Sequence, residues 1–361
     1  MRSNWWKTYD AIYYNFERWF KANRMKRSQK RDMKGVQTDP EFYARYKDSI
    51  LPYWARFGVK PGIWWAKETY LITGSTDPRY IPKDLYYRDI VPFFNDVQFM
   101  RPMTDKNLNS LLFSDVHRPK TVVKYISGQY CLEDFHRISR EDAVARISTG
   151  QKYVIKPTQH SSSGQDIQFF SDLSPSELED LFSSYENIDF IIQEEYTQHP
   201  VLASLNPTSV NTVRVVTLVY KNRAHILSSI VRVGGVNSRV DNVGAGGYQC
   251  TVGEDGRLGD LAYTHRNGTH AHVPENDAGI AFGSVVIPHY QDVCNTALTL
   301  AQRIPHLNLL AWDFSVNPDG EVFLIEYNAY YPGQNQENCG PSFGDLTEDI
   351  LRDVYGRKKK R

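Results

Sequence analysis

Two carboxylates near the C-terminal end sit in runs that are otherwise apolar. The segments Ala311-Trp312-Asp313-Phe314-Ser315-Val316 and Val322-Phe323-Leu324-Ile325-Glu326-Tyr327-Asn328 flank Asn317-Pro318-Asp319-Gly320, a strong turn signal. The pattern predicts a hairpin of two strands, Leu309 to Val316 and Val322 to Tyr327. Side chains alternate faces along a strand, so Asp313 shares a face with Ser315, and Glu326 with Asn328. Pairing across the turn brings Asp313 near Glu326 and Asn328. The apolar flanks predict a central place in a sheet, where carboxylates without a metal or cationic partner are costly. Oxygen donors of this kind suit Mg²⁺, which takes a few carboxylates completed by phosphate and water. Asp313, Glu326 and Asn328 are therefore the candidate metal ligands; a solvated sheet face is the plainer alternative.

The rest of the chain limits the surroundings of this hairpin. At 361 residues it is long enough for two or three packed subdomains. A formal net charge of +0 gives no support to a nucleic-acid partner. Cys131, Cys250, Cys294 and Cys339 are widely spaced with no Cys-x-x-Cys pair, which argues against a disulfide framework or zinc site and for a reducing compartment. No cleavable signal peptide and no membrane-spanning run is visible, so the expected location is cytoplasmic. The first segment reads as an amphipathic helix, with Trp5, Trp6, Tyr9, Ile12, Tyr13, Phe16, Trp19 and Phe20 at helical steps. Its charge is lopsidedly basic. The expectation is that the aromatic stripe packs on its own domain. Peripheral contact with the inner face of a membrane is the alternative.

Residues 40 to 115 read as helical and aromatic, broken by Pro52, Pro61, Pro78, Pro82, Pro92 and Pro102, with no strand–Gly-rich turn–helix unit. From about 120, short β-branched runs appear at Thr121-Val122-Val123, Tyr153-Val154-Ile155 and Phe190-Ile191-Ile192. Helices are predicted from Ser139 to Ile147 and from Ser174 to Ser184. Strands dominate from 211 to 263, including a hairpin turning at Lys221-Asn222-Arg223-Ala224, and a helix follows at about 288 to 303. The tail Arg357-Lys358-Lys359-Lys360-Arg361 reads as a solvated basic end.

Several smaller features can serve an anionic ligand. Lys156 ends a strand and precedes a loop of small residues that includes Ser161, Ser162, Ser163 and Gly164. Small side chains let backbone N–H groups approach phosphate, and lysine adds a point charge. An ordinary turn reads the same way, and the P-loop pattern is absent. Gln193, Glu194, Glu195 and Tyr196 end an apolar strand, where backbone groups can meet an adenine edge and a carboxylate a ribose. Arg214 and Arg232 lie on successive strands and can clamp phosphate or carboxylate bidentately, or can be surface charges. Asp241-Asn242-Val243-Gly244-Ala245-Gly246-Gly247 is a glycine-rich turn able to approach a ligand closely.

Taken in order from about 100 to 335, these pieces resemble the ATP-grasp superfamily. Asp105-Lys106-Asn107-Leu108 looks like its first nucleotide-lysine segment, Val154-Ile155-Lys156-Pro157 like its second, and Ser161-Ser162-Ser163-Gly164 like its phosphate-covering loop. Gln193-Glu194-Glu195-Tyr196 resembles the adenine hinge, while Asp313 and Glu326-x-Asn328 match the Mg²⁺ ligands. Asn211-Thr212-Val213-Arg214-Val215-Val216-Thr217-Leu218, Asp241-Asn242 before Gly246-Gly247, and the helical front end are similar to the sugar-transfer-associated ATP-grasp group. The α/β N-terminal domain of the commoner ligases has no visible counterpart.

The resemblance implies an α+β, ATP-grasp fold whose two subdomains clasp ATP behind a helical, aromatic-rich N-terminal region. The expected divisions are 1-100 for that region, 101-200 for the small subdomain with its linker, 201-350 for the C-terminal subdomain with the metal site, and 351-361 for the tail. It implies ATP with one or two Mg²⁺ ions, and an acylphosphate route joining a small-molecule carboxylate to an amine, with sugar-linked exopolysaccharide precursors as the group's suggested substrates. Lys106 and Lys156 would neutralise phosphate. Arg214, Arg232 and Asn242 would be the catalytic set. A kinase or a non-catalytic nucleotide-binding scaffold on the same framework are the alternatives; a glycosyltransferase is disfavoured because no Asp-x-Asp pair is present.

Overall fold

The computed structural model describes residues 5–159 and 166–356, with side chains described from residue 12. The chain opens on a long helix, Trp5–Asp32, and continues through short helices to Leu112. The prolines of this region do not all break it. At Tyr46–Ile50 and Tyr86–Ile90 the helix widens into a π-turn, with Leu51 N–H bonded to Tyr46 O and Val91 N–H to Tyr86 O. Each widened turn lies just before a proline, Pro52 or Pro92, which has no N–H and whose ring crowds the carbonyl four residues back. The extra residue relieves that crowding, and the helix runs on.

Six strands form the first sheet: β1 (Thr121–Ile126), β2 (Gln129–Cys131), β3 (Arg137–Ile138), β4 (Lys152–Pro157), β5 (Gln168–Ser171) and β6 (Phe190–Glu194), in the order β3-β2-β1-β6-β4-β5. Every pairing is antiparallel. Helices Arg140–Ala145 and Pro175–Ser184 cover it, each opened by a capping box, Ser139 with Asp142 and Ser174 with Glu177. Val123, Ala143, Tyr153, Ile155, Phe182, Tyr185, Phe190 and Ile192 close a small core of their own.

The second sheet has seven strands: β7 (Thr212–Tyr220), β8 (Arg223–Val233), β9 (Tyr248–Val252), β10 (Leu258–Arg266), β11 (Thr269–Val273), β12 (Leu309–Val316) and β13 (Val322–Asn328). Their order is β11-β10-β9-β8-β7-β12-β13, again antiparallel throughout. The β7–β8 turn is tighter than the sequence suggests. Lys221 and Asn222 alone make it, with φ of 49° and 61°. Positive φ at both positions is the two-residue turn whose twist matches a hairpin.

The expected β12–β13 hairpin is present, but only β12 is central, and it is buried along its whole length. β13 forms the edge of the sheet and is half-buried except at Leu324 and Tyr327, which are buried. Its outer side is covered by the loop at His117, whose carbonyl accepts from Leu324 N–H at 2.8 Å. Helix Tyr290–Ala301 and the N-terminal helices join the large sheet in one continuous core, with Trp54, Tyr86, Phe113, Trp312 and Phe314 among its largest members. Trp312 and Tyr327 are cross-strand partners, and both meet Phe113 edge-on. Strand alternation leaves Asp313 and Glu326 on the opposite face.

Candidate active site

Strand register builds the site. Asp313 on β12 lies directly opposite Arg214 on β7 and Glu326 on β13. Thr212, two residues before Arg214, lies opposite Arg232 on β8. Directly paired residues share a face, as do residues two apart. One face of four adjacent strands therefore carries Arg232, Thr212, Arg214, Asp313 and Glu326 in a row.

The row is tightly bonded. Arg214 donates from Nε and Nη2 to the two oxygens of Asp313 at 2.7 and 2.6 Å. Arg232 reaches Asp313 at 3.4 Å and Asp241 at 3.1 Å. Thr212 Oγ1 donates to the other oxygen of Asp241. Asn328 Nδ2 donates to Asp313 at 3.4 Å. Asp313 is 2% exposed, yet it is charged. Burial alone would raise its carboxyl, but Arg214 and then Arg232 outweigh it and hold it below the usual carboxylate range. Burial would likewise lower the Arg214 guanidinium, and Asp313 more than reverses that. At Asp241 burial wins and pushes the carboxyl up, with Arg232 opposing it.

Two lysines approach from the other side of the cleft. Lys106 opens the short turn Lys106–Leu108, and its Nζ lies 3.0 Å from Glu326 Oε1. Its backbone N–H bonds Thr158 O, just beyond β4. Lys156, on β4, is driven down to about 8 by burial, then by the neighbouring charge of Lys106, with Glu326 opposing both. Lys124 was not singled out in the sequence. Its buried ammonium donates to Asn107 O, Ser110 Oγ and Glu133 O at 2.9, 2.7 and 2.8 Å, so it braces the turn that carries Lys106.

The remaining candidates fall around these groups. Gln193 Nε2 donates to Pro119 O and Thr121 Oγ1, both at 3.1 Å, while its Oε1 is buried without a hydrogen-bond partner. Gln193 lines one small cavity with Lys106, Lys124 and Ile325. Glu194 pairs with Lys120 at 2.6 Å and Glu195 with Arg239 at 2.7 Å. Tyr196 packs on Phe323 at 5.0 Å. The Asn242 side-chain oxygen accepts from Gly244 N–H at 2.7 Å, so it shapes the glycine turn. Ser161, Ser162, Ser163 and Gly164 lie outside the described residues. Asp241 and Thr212 complete the arginine–carboxylate network. The one sequence signal for them is that Asp241 immediately precedes Asn242 and that Thr212 lies two residues from Arg214.

The donors present fit a hard divalent cation in chemistry. Two carboxylates and a carboxamide oxygen lie on paired or adjacent strand positions, and the Glu326 side chain is 36% exposed to the cleft. Among the described residues, no group of three or more His, Cys, Asp or Glu side chains is placed to hold a metal, so Asn328 or a ligand oxygen must complete the set.

No curated protein matches the chain. Among solved structures it is similar to an L-amino acid ligase from Bacillus licheniformis, at 13% identity and a TM-score of 0.37, covering 71% of this chain and 47% of that one. A D-alanine–D-alanine ligase from Bacillus anthracis matches at 12% identity and 0.40, over 75% of this chain and 70% of that one. An N5-carboxyaminoimidazole synthetase from Staphylococcus aureus complexed with ADP matches at 8% identity and 0.41, over 73% and 53%. The chain thus spans about half the length of the first and third of these proteins. The family model for sugar-transfer associated ATP-grasp matches residues 86–338, and the chain belongs to that family.

Proposed function

We propose that this chain is an ATP- and Mg²⁺-dependent ligase that joins a carboxylate to an amine. The observation that carries the reading is the row Arg232–Arg214–Asp313–Glu326, faced by Lys106 and Lys156. Cations and oxygen donors converge there on one cleft, the arrangement that a polyphosphate and its metal need. Lys106 and Lys156 bind phosphate oxygens. Glu326, Asn328 and Asp313 would hold Mg²⁺. When bound, the metal would neutralise phosphate charge. The strand end Gln193–Tyr196 receives the adenosine, and the orphan Gln193 oxygen is an acceptor awaiting a donor.

The γ-phosphoryl group passes from ATP to an oxygen of the substrate carboxylate, leaving ADP and an acylphosphate. The amine then attacks the acyl carbon, phosphate leaves with the bonding electrons, and the nitrogen loses a proton. Arg214 and Arg232 stabilise the charge on the transferring group or on the tetrahedral adduct, and Asn242 holds the turn beside them. Residues 101-200 and 201-350 form the two halves of the clasp. The family's description supports a sugar-linked substrate, with exopolysaccharide precursors as the class to try first. An ATP-consuming step of this kind is expected on the cytoplasmic side.

The test traps the activated acid. With ATP, Mg²⁺, a panel of carboxylates including sugar acids, and hydroxylamine as the amine, the reading predicts ADP release matched by hydroxamate. A stable phosphorylated product formed without hydroxamate would show a kinase instead. Tight ATP binding with no turnover on any panel would show a scaffold.

A further inference from the structure

The N-terminal helix Trp5–Asp32 is docked by the side that amphipathic helices usually expose. Its inward face is polar. Arg18 donates to Arg88 O at 2.8 Å, Glu17 accepts from Arg101 at 2.9 Å, and Gln29 donates to Glu68 at 2.5 Å. The Lys21 ammonium lies 3.8 and 3.5 Å from the ring centroids of Tyr330 and Tyr331. Among the described side chains, Tyr14, Ala22 and Met25 add the apolar contact on this side. The aromatic stripe points the other way: Phe16 is 63%, Trp19 55% and Phe20 59% exposed, with Ile12 and Tyr13 beside them. For Ile12, Tyr13, Phe16, Trp19 and Phe20 this overturns the expectation that the stripe packs on its own domain; the side chains of Trp5, Trp6 and Tyr9 lie outside the described residues. The helix already had its polar anchors, so the apolar face is not exposed for want of docking.

The same outward stripe continues, at steps of three and four residues, through exposed Arg27, Lys30 and Arg31. Arg24, Lys26 and Lys34 are exposed around it. The acids of the helix are Asp10, whose side chain lies outside the described residues, Glu17, which faces inward, and Asp32, which pairs with Arg31 at 3.1 Å. The outer surface is therefore aromatic in its first half and basic in its second. No helix of the described residues is long and apolar enough to cross a membrane.

We infer that this outer face lies on the surface of an anionic lipid bilayer, with the aromatics at the headgroup boundary and the cations against anionic headgroups. A second copy of the chain fits less well. Face-to-face pairing would bury basic groups against a partner with almost no acid to receive them, which is costly. A bilayer meets both halves of the stripe at once. The inference is independent of the nucleotide chemistry.

The test is co-flotation of the full-length protein with vesicles of phosphatidylcholine alone or mixed with phosphatidylglycerol. Wild type should float with the mixed vesicles and not the neutral ones, and should be released by salt. Phe16→Ser/Trp19→Ser/Phe20→Ser should lower partitioning at least about tenfold, as should Arg27→Gln/Lys30→Gln/Arg31→Gln, since each surface cation contributes about fivefold. Should the variants misfold, brominated lipid quenching serves instead: wild type should lose more fluorescence than Trp19→Phe. The inference is overturned if wild type ignores anionic vesicles, or if folded variants float as wild type does. Equal quenching of wild type and Trp19→Phe would also overturn it, as would a wild-type dimer that the serine variant returns to monomer.

Discussion

Lys156 carries the sharpest prediction at the scale of a single residue. Burial and the charge of Lys106 lower it from 10.5 to about 8, so in the free protein it is partly neutral just above pH 8. Between about 8 and 10.5 the folded state binds fewer protons here than the unfolded chain, so its contribution to stability rises with pH through that window. Phosphate oxygens favour the ammonium, so ATP binding near pH 8.5 (roughly the middle of the lower half of that window) should take up a proton. Titrations in buffers of different ionisation enthalpy should show that uptake, and Lys156→Met should abolish it; an unchanged buffer dependence would remove Lys156 from the phosphate site. Asp313, Glu326 and Arg214 were legible in the sequence because charge inside an apolar strand demands a partner. Lys124 was not, because its three acceptors are brought together from separate segments only by the fold.

Among the elements, the hairpins were legible and their neighbours were not. The turn at Asn317 to Gly320 fixes the first pairs of β12 with β13, from Val316–Val322 to Phe314–Leu324, but a bulge between Phe314 and Asp313 then skips Ile325 and brings Asp313 opposite Glu326, a shift that alternation from the turn does not give. That β13 lies at the edge depends on which strands pair beyond the hairpin, which local pattern does not encode. The glycine turn after Asp241 is a second case. A Cβ on Gly247 would lie 2.5 Å from Val233 O and 2.8 Å from Asn242 O, both backbone atoms that cannot simply rotate away. Gly247→Ala should therefore cost about 1–3 kcal/mol in urea unfolding. It should also weaken nucleotide turnover, because the turn carries Asp241, the partner of Arg232. A variant with wild-type stability and rate would show that this turn does not position the arginine.

At the scale of the molecule, the described residues are organised as two cores. The small sheet and its two helices close one, while the large sheet shares the other with the helical front end. Periodicity announced the helices and strands but not this partnership, because amphipathic patterning marks an apolar face without naming what covers it. The first helix is the plainest example. Its stripe was correctly read as amphipathic, but it was assigned to the interior, because polar anchors such as Arg18 and Glu17 leave no periodic trace. The candidate site lies where the two cores meet: Lys106 links the turn after the helical region to β13, and its backbone bonds the end of β4.

That junction is the central claim, and calorimetric titration of ATP with and without Mg²⁺ tests it most directly. Wild type should bind ATP in a magnesium-dependent way, and Asp313→Asn/Glu326→Gln should lose that dependence while remaining folded by circular dichroism. Absence of ATP binding by well-folded wild type, or magnesium-dependent binding unchanged in the double variant, would contradict the account.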